Sequence, residues 1–334
     1  MTSDGGAKIR KAIDTVQDSF YVAFSIEKLI VSSSASGPFL QRIATLTEQI
    51  SYMAYKDPLE ELFIIQCALT ALRLEVLVNN PKLTTIDLTR NRIRQLFPIT
   101  TPPKTKLSVT SLSLVANQLE HLDMSMFAFM PKLELFDVRG NRIVRLEATA
   151  PFDTRNLTLP VLRSLYIDDN ALTELPTHWG KLPNLVYLGF DRNYLKRIDI
   201  SFFGKFPTLN AIFICENNVE TIRTSTPITM PELDIMLFES NQIVSVNFTG
   251  CNFPKMNIIS LMNNRLTTIP PLFQRFSESR LTMEGNPIKC CNMTVFKSKI
   301  TDFQLRVTTG TTQSDCPTTS SIVLDQGRLA CCDA

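Results

Sequence analysis

Cysteine is the reactive residue type most concentrated in this sequence. Five of its eight cysteines, Cys290, Cys291, Cys316, Cys331 and Cys332, lie after residue 289. Such a cluster at a domain end closes a cap with disulfides in an oxidising compartment, or holds a metal. The usual C-x₂₋₄-C pairs and accompanying histidine of a structural zinc site are absent. The segment GNPIKCCNMT places Cys290 and Cys291 side by side. Neighbouring α-carbons lie about 3.8 Å apart, whereas a disulfide wants roughly 4.4–6.8 Å. Each cysteine therefore needs a partner elsewhere. In extended backbone neighbours point to opposite sides, so the pair is expected to tie two different returning strands. Five is an odd number, and the leftover cysteine suggests an intermolecular bridge or a free thiol. Cys332, near the chain end in LACCDA, is the expected outward candidate. An unpaired buried thiol is the alternative.

Other chemistry is sparse. The two histidines, His121 and His178, fall in connecting segments, and glycine numbers 11 of 334 residues. No G-x-S-x-G, H-E-x-x-H or phosphate-cradling glycine loop occurs. No catalytic residue, cofactor or metal site is expected. Asn156-Leu-Thr, Asn247-Phe-Thr and Asn292-Met-Thr are candidate glycosylation sites. With the cysteine cluster they favour secretion. The start, however, has its apolar stretch broken by Glu27 and Lys28, and a leader needs about 7–15 uninterrupted apolar residues. The expectation is a secreted protein whose leader is missing from this chain. Taken literally, the start reads as cytoplasmic. Charges nearly cancel, 34 basic against 32 acidic, which gives no case for nucleic acid. No run of about 18 apolar residues marks a membrane span.

The elements that must position these residues follow from a repeat. LTTIDLTRNRI, VTSLSLVANQL, LELFDVRGNRI, LRSLYIDDNAL and LVYLGFDRNYL share one grammar with LNAIFICENNV, LDIMLFESNQI, MNIISLMNNRL and SRLTMEGNPI. An asparagine stands three and five residues after apolar positions, and another apolar residue follows two later. The ladder is Asn91, Asn117, Asn141, Asn170, Asn193, Asn217, Asn241, Asn264 and Asn286, with Cys67 in the equivalent slot of an earlier unit. Alternation such as Ile86 and Leu88 suits a short strand with one buried face. Each unit buries that face only against its neighbours. The asparagine amide can satisfy buried backbone groups where the chain turns. Cys67 can fill its slot as a small buried thiol, and Cys251 is expected to be an inert buried thiol. Phe127, Phe129, Phe203 and Phe206 are expected to fill the core on the convex side.

This grammar resembles that of the leucine-rich repeat proteins of extracellular type, L-x-x-L-x-L-x-x-N-x-L. The resemblance implies an α/β solenoid, a leucine-rich repeat horseshoe of about ten repeats with a parallel concave β-sheet and a disulfide-tied C-terminal cap. Residues 1–57 are expected to form a degenerate N-terminal cap or first repeat region, 58–289 the repeats, and 290–334 the cysteine-containing cap. Residues two, four and six before each asparagine face the concave side. Two features emerge on that side. Asp168, Asp191, Glu239 and Glu284 form an acidic track, which argues against phosphate-backbone ligands. Tyr166, Tyr187, Phe213, Ile235, Leu237, Ile258 and Met262 form an apolar patch. Aromatic anchors beside charge match a protein-binding surface. The candidate partner-binding residues are Tyr166, Asp168, Tyr187, Asp191, Phe213, Leu237, Glu239 and Met262.

The double-cysteine cap after such an array, without a cysteine-bearing start, resembles the mosquito secreted leucine-rich repeat immune proteins. That resemblance implies a haemolymph protein, disulfide-linked to a similar chain and complexed with complement-like thioester proteins. Longer members continue into a coiled coil, and no heptads follow here. The function expected is non-catalytic recognition in innate immunity. The alternatives are the ectodomain of an adhesion or receptor protein and a cytosolic scaffold.

Overall fold

The computed structural model describes residues 20–24, 28–33, 59–67, 69–78, 80–100, 106–148, 158–177, 180–318, 320–325 and 327–334. It divides into two compact units. The first comprises Met1–Ala171 with Pro176–Pro183, and the second Leu172–Leu175 with Asn184–Ala334.

In the first unit, short strands lie parallel and in register, one per repeat: Glu61–Ile65, Thr85–Asp87, Ser111–Ser113, Leu135–Asp137 and Ser164–Tyr166. Each sends its middle apolar side chain inward. Ile86, Leu112, Phe136 and Leu165 are fully buried. Strand Lys28–Ser33 extends this series by pairing parallel to Glu61–Ile65, and Phe20–Phe24 pairs antiparallel to it. Most of the cap expected over 1–57 lies outside the described residues. In the second unit the same series runs through Tyr187–Gly189, Ala211–Phe213, Ile235–Leu237, Ile258–Ser260, Arg280–Thr282 and Leu305–Arg306.

After each repeat strand from Glu61–Ile65 to Arg280–Thr282 the chain turns through a residue in the left-handed region, immediately before the ladder position. In the first unit these are Gln66, Arg90, Ala116, Gly140 and Asp169, and in the second Arg192, Glu216, Ser240, Asn263 and Gly285. A non-glycine residue there costs roughly 1–2 kcal/mol. The asparagine that follows offsets that cost through buried hydrogen bonds. Asn117 accepts from the Ile93 amide at 3.0 Å and donates to the Leu88 carbonyl at 2.9 Å and the Leu114 carbonyl at 3.0 Å. Asn91 accepts from the amides of both Cys67 and Leu69 at 3.0 Å. Cys67 itself is buried, with its thiol 3.2 Å from the Ile65 carbonyl.

On the far side of each unit the repeats close with short strands and 3₁₀ turns. Met124–Phe127 and Ile200–Lys205 are both N-capped, by Asp123 accepting from the Ser125 amide and Asp199 from the Ser201 amide. Phe127, Phe203 and Phe206 are buried there, and Phe129 is half-buried.

The C-terminal cap corrects two expectations. Cys290 and Cys291 are not in extended backbone. They open the helix Cys290–Thr294, where successive residues turn by about 100° rather than alternating. Cys290 is oxidised with Cys332 and Cys316 with Cys331, so Cys332 is not the outward cysteine. The unpaired one is Cys291, which is exposed. The alternation invoked for the first pair operates in the second. Cys331 and Cys332 are neighbours in the strand Leu329–Cys332, so their side chains leave opposite faces, one to Cys316 and the other to Cys290 at the helix start.

Candidate functional site

The strand register places the expected contact residues in rows about 4.8 Å apart from strand to strand. In the second unit one row runs Tyr187, Ala211, Ile235, Ile258, Arg280. Beside it runs Gly189, Phe213, Leu237, Ser260, Thr282. Leu188, Ile212, Met236 and Ile259 alternate with these and are fully buried, which leaves the rows on the open side. Phe213, Ile235, Leu237 and Ile258 therefore form one contiguous half-buried apolar block. Tyr187 stands at its border with 41 % exposure, and Met262 is half-buried two residues beyond Ser260. Ser260 sits within the block, and its buried hydroxyl has no hydrogen-bond partner among the described residues.

The third row carries charge. The Asp191 carboxylate accepts from the Cys215 amide at 2.6 Å. Burial is the main reason that its pKa is raised. Burial, with the Asp191 charge adding to it, pushes the Cys215 thiol up to about 12. Cys215 is thus a neutral thiol at physiological pH and no nucleophile. Glu239 is half-buried in the next repeat. Glu284 lies 3.5 Å from the Arg306 guanidinium, a partly exposed pair of small energetic weight.

Tyr166 and Asp168 belong to the first unit and to a different environment. Arg139 donates from Nε at 2.9 Å and from Nη2 at 2.6 Å to the two oxygens of Asp137. Its guanidinium also lies 5.0 Å from the centroid of the Tyr166 ring. The hydrogen bond to Asp137 is the largest cause of the raised Arg139 pKa, and the Asp168 charge adds to it. Tyr166 is half-buried and Asp168 is buried. Sequence reading placed Arg139 on this face but missed the cluster, because nothing in one repeat reports which side chain its neighbour leans on.

Of the sequons, Asn247 is exposed and accepts from the Thr249 amide at 2.8 Å. Asn292 lies in the cap helix and donates to the Thr267 carbonyl at 3.3 Å. Asn156 and His178 lie outside the described residues, and His121 is exposed. Cys251 is buried, with its thiol 3.1 Å from the Thr224 hydroxyl. The cap also holds a cleft of about 610 Å³ that sequence reading missed. Phe303, 65 % exposed and left-handed at φ 58°, stands on it with Arg328 4.8 Å from its ring centroid. No group of three or more metal-ligating side chains occurs among the described residues.

Parallel one-per-repeat strands, a buried asparagine ladder and a disulfide cap decide the architecture. The chain is a leucine-rich repeat solenoid. No family model matches it. Over 86 % of its length it superimposes on a chain of the mosquito LRIM1/APL1C complex, with TM-score 0.55, 19 % identity and 57 % of that chain covered. The APL1 leucine-rich repeat domain matches over 82 % of this solenoid and 71 % of its own chain, with TM-score 0.56 and 18 % identity. In sequence, mouse Podocan-like protein 1 is 28 % identical over 218 residues, 62 % of the solenoid. Those residues are 36 % of that relative, so the solenoid spans about a third of its length.

Proposed function

We propose that this solenoid is a non-catalytic, secreted recognition protein of innate immunity that holds protein partners on the open face of its strands. The apolar block of Phe213, Ile235, Leu237 and Ile258 carries the reading. Isolated apolar residues on a surface are ordinary, whereas a contiguous group in register supports the reading of a contact surface. Two disulfides in the cap support an oxidising compartment. The similarity to a chain of the LRIM1/APL1C complex supports a partner that is another leucine-rich repeat chain, held through the exposed Cys291. Complement-like thioester proteins are the second partner class in this reading. The site residues of the second unit are Tyr187, Asp191, Phe213, Leu237, Glu239 and Met262; Tyr166 and Asp168 are a separate candidate contact of the first unit.

The test uses the secreted full chain and the partner isolated with it. Tyr187→Asp with Phe213→Asp should abolish capture of that partner, and unchanged capture overturns the open-face assignment. Electrophoresis with and without reductant tests the covalent link. A larger species that collapses on reduction and vanishes in Cys291→Ser is expected. A monomer under both conditions removes covalent pairing.

A further inference from the structure

The apolar block of the second unit has a charged border of one sign. Asp191 and Glu239 stand in the row beside Phe213 and Leu237, and Asp234 precedes Ile235 on the opposite border. Glu216 occupies the left-handed turn between the first two carboxylates. Arg192 is a cation inside this footprint, with its Nη1 3.6 Å from Glu216 Oε1. Among these described residues, four carboxylates border the block, and Glu216 is paired with the Arg192 guanidinium. Arg280, the next cation along the row of Tyr187, lies beyond Ile258.

This arrangement would repel an acidic partner and attract a basic one. An apolar partner with no charge would strip further water from the carboxylates of Asp191 and Glu239, at a cost. Burial already disfavours the charged form of Asp191, so a cation laid against it would recover that loss.

We propose that the occupant of this face is a basic apolar segment of a partner protein, with Lys or Arg side chains bordering aliphatic or aromatic ones. The aliphatic or aromatic groups would lie on Phe213, Ile235, Leu237 and Ile258, and the cations on Asp191, Glu239 and Asp234. This rests on the reading that the open face binds protein.

The experiment selects a random-peptide display library against the intact full chain and measures the enriched peptides as labelled synthetic ligands. Enrichment of net-positive peptides rich in aliphatic and aromatic residues is expected. Their affinity should fall about tenfold or more in Glu239→Lys, and should weaken as salt rises. Leu237→Asp and Tyr187→Asp should each remove binding, with circular dichroism showing both variants folded. Enrichment of neutral or acidic peptides, or no enrichment, overturns the proposal. Loss of binding in Leu237→Asp or Tyr187→Asp with none in Glu239→Lys overturns the charge inference and leaves the open face standing. Binding indifferent to all three variants overturns both.

Discussion

Asn241 offers the sharpest test of how this solenoid is held together. Its side-chain oxygen accepts from the Val219 amide at 3.0 Å. Its amide nitrogen donates to the carbonyls of Ile214 at 2.8 Å, Phe238 at 3.2 Å and Glu239 at 3.1 Å. Those four bonds are not equal in consequence. The Phe238 carbonyl also accepts from Asn264, and the Glu239 carbonyl from the Glu216 amide. Both stay satisfied when Asn241 is truncated. The Val219 amide and Ile214 carbonyl lose the partner shown for each. A buried polar group left unsatisfied costs roughly 1–3 kcal/mol, so Asn241→Ala should destabilise by about 4 kcal/mol in total. The neighbouring Asn218 is half-buried and accepts from the Gln242 side chain at 3.2 Å, so Asn218→Ala should cost about 0.5 kcal/mol. Urea denaturation gives the global number. Hydrogen exchange gives the local one, because the Val219 amide should lose protection selectively. A loss under about 1 kcal/mol with the Val219 amide still protected would refute this reasoning.

Two further predictions concern the cysteines and the acidic row. Native thiol labelling should modify Cys291 alone among the described cysteines. Cys67 and Cys251 are buried, and the Cys215 thiol is pushed up to about 12. Cys291→Ser should abolish labelling with an unchanged Tm, whereas replacing Cys316 and Cys331 by serine opens a separation of 15 residues and should cost about 3 kcal/mol. Labelling that persists in Cys291→Ser would contradict the assigned pairing. The raised pKa of Asp191 means that its protonated form suits the fold better than its charged form. That contribution is complete below the unfolded value of about 3.9 and is lost as pH rises through the higher native value. Asp191→Asn keeps the oxygen that accepts from Cys215. It should therefore be more stable than wild type at neutral pH, and the gain should vanish below about pH 3.9. A stability difference that does not change with pH would show Asp191 to be unperturbed.

Much of the architecture was legible because it is local and repeated. Ile86, Leu88, Asn91 and Ile93 satisfy one set of distances within a single turn of chain, and eight more repeats state the same set. The open face could be read for the same reason, since alternation along Ile235, Met236 and Leu237 assigns sides without knowledge of neighbours. The left-handed turn residues were not legible. Arg90, Ala116, Glu216 and Ser240 have no common side-chain type, because the conformation is imposed by the ladder bonds around it rather than chosen by the residue.

The sequence by itself determined the period, the ladder, the inward and outward rows and the existence of a cysteine-closed end. Each is a property of residues close in the chain or of their regular recurrence. Tertiary structure alone decided which cysteines meet, because loops of 42 and 15 residues must first close. It also decided that Cys291 rather than Cys332 faces solvent, since a helix start turns Cys291 away from its neighbour. The place of the Arg139 guanidinium beside the Tyr166 ring is likewise a contact between repeats, whereas its bond to Asp137, two residues away, is local. Periodicity specifies where a side chain points, and only the packed neighbour specifies what it meets there.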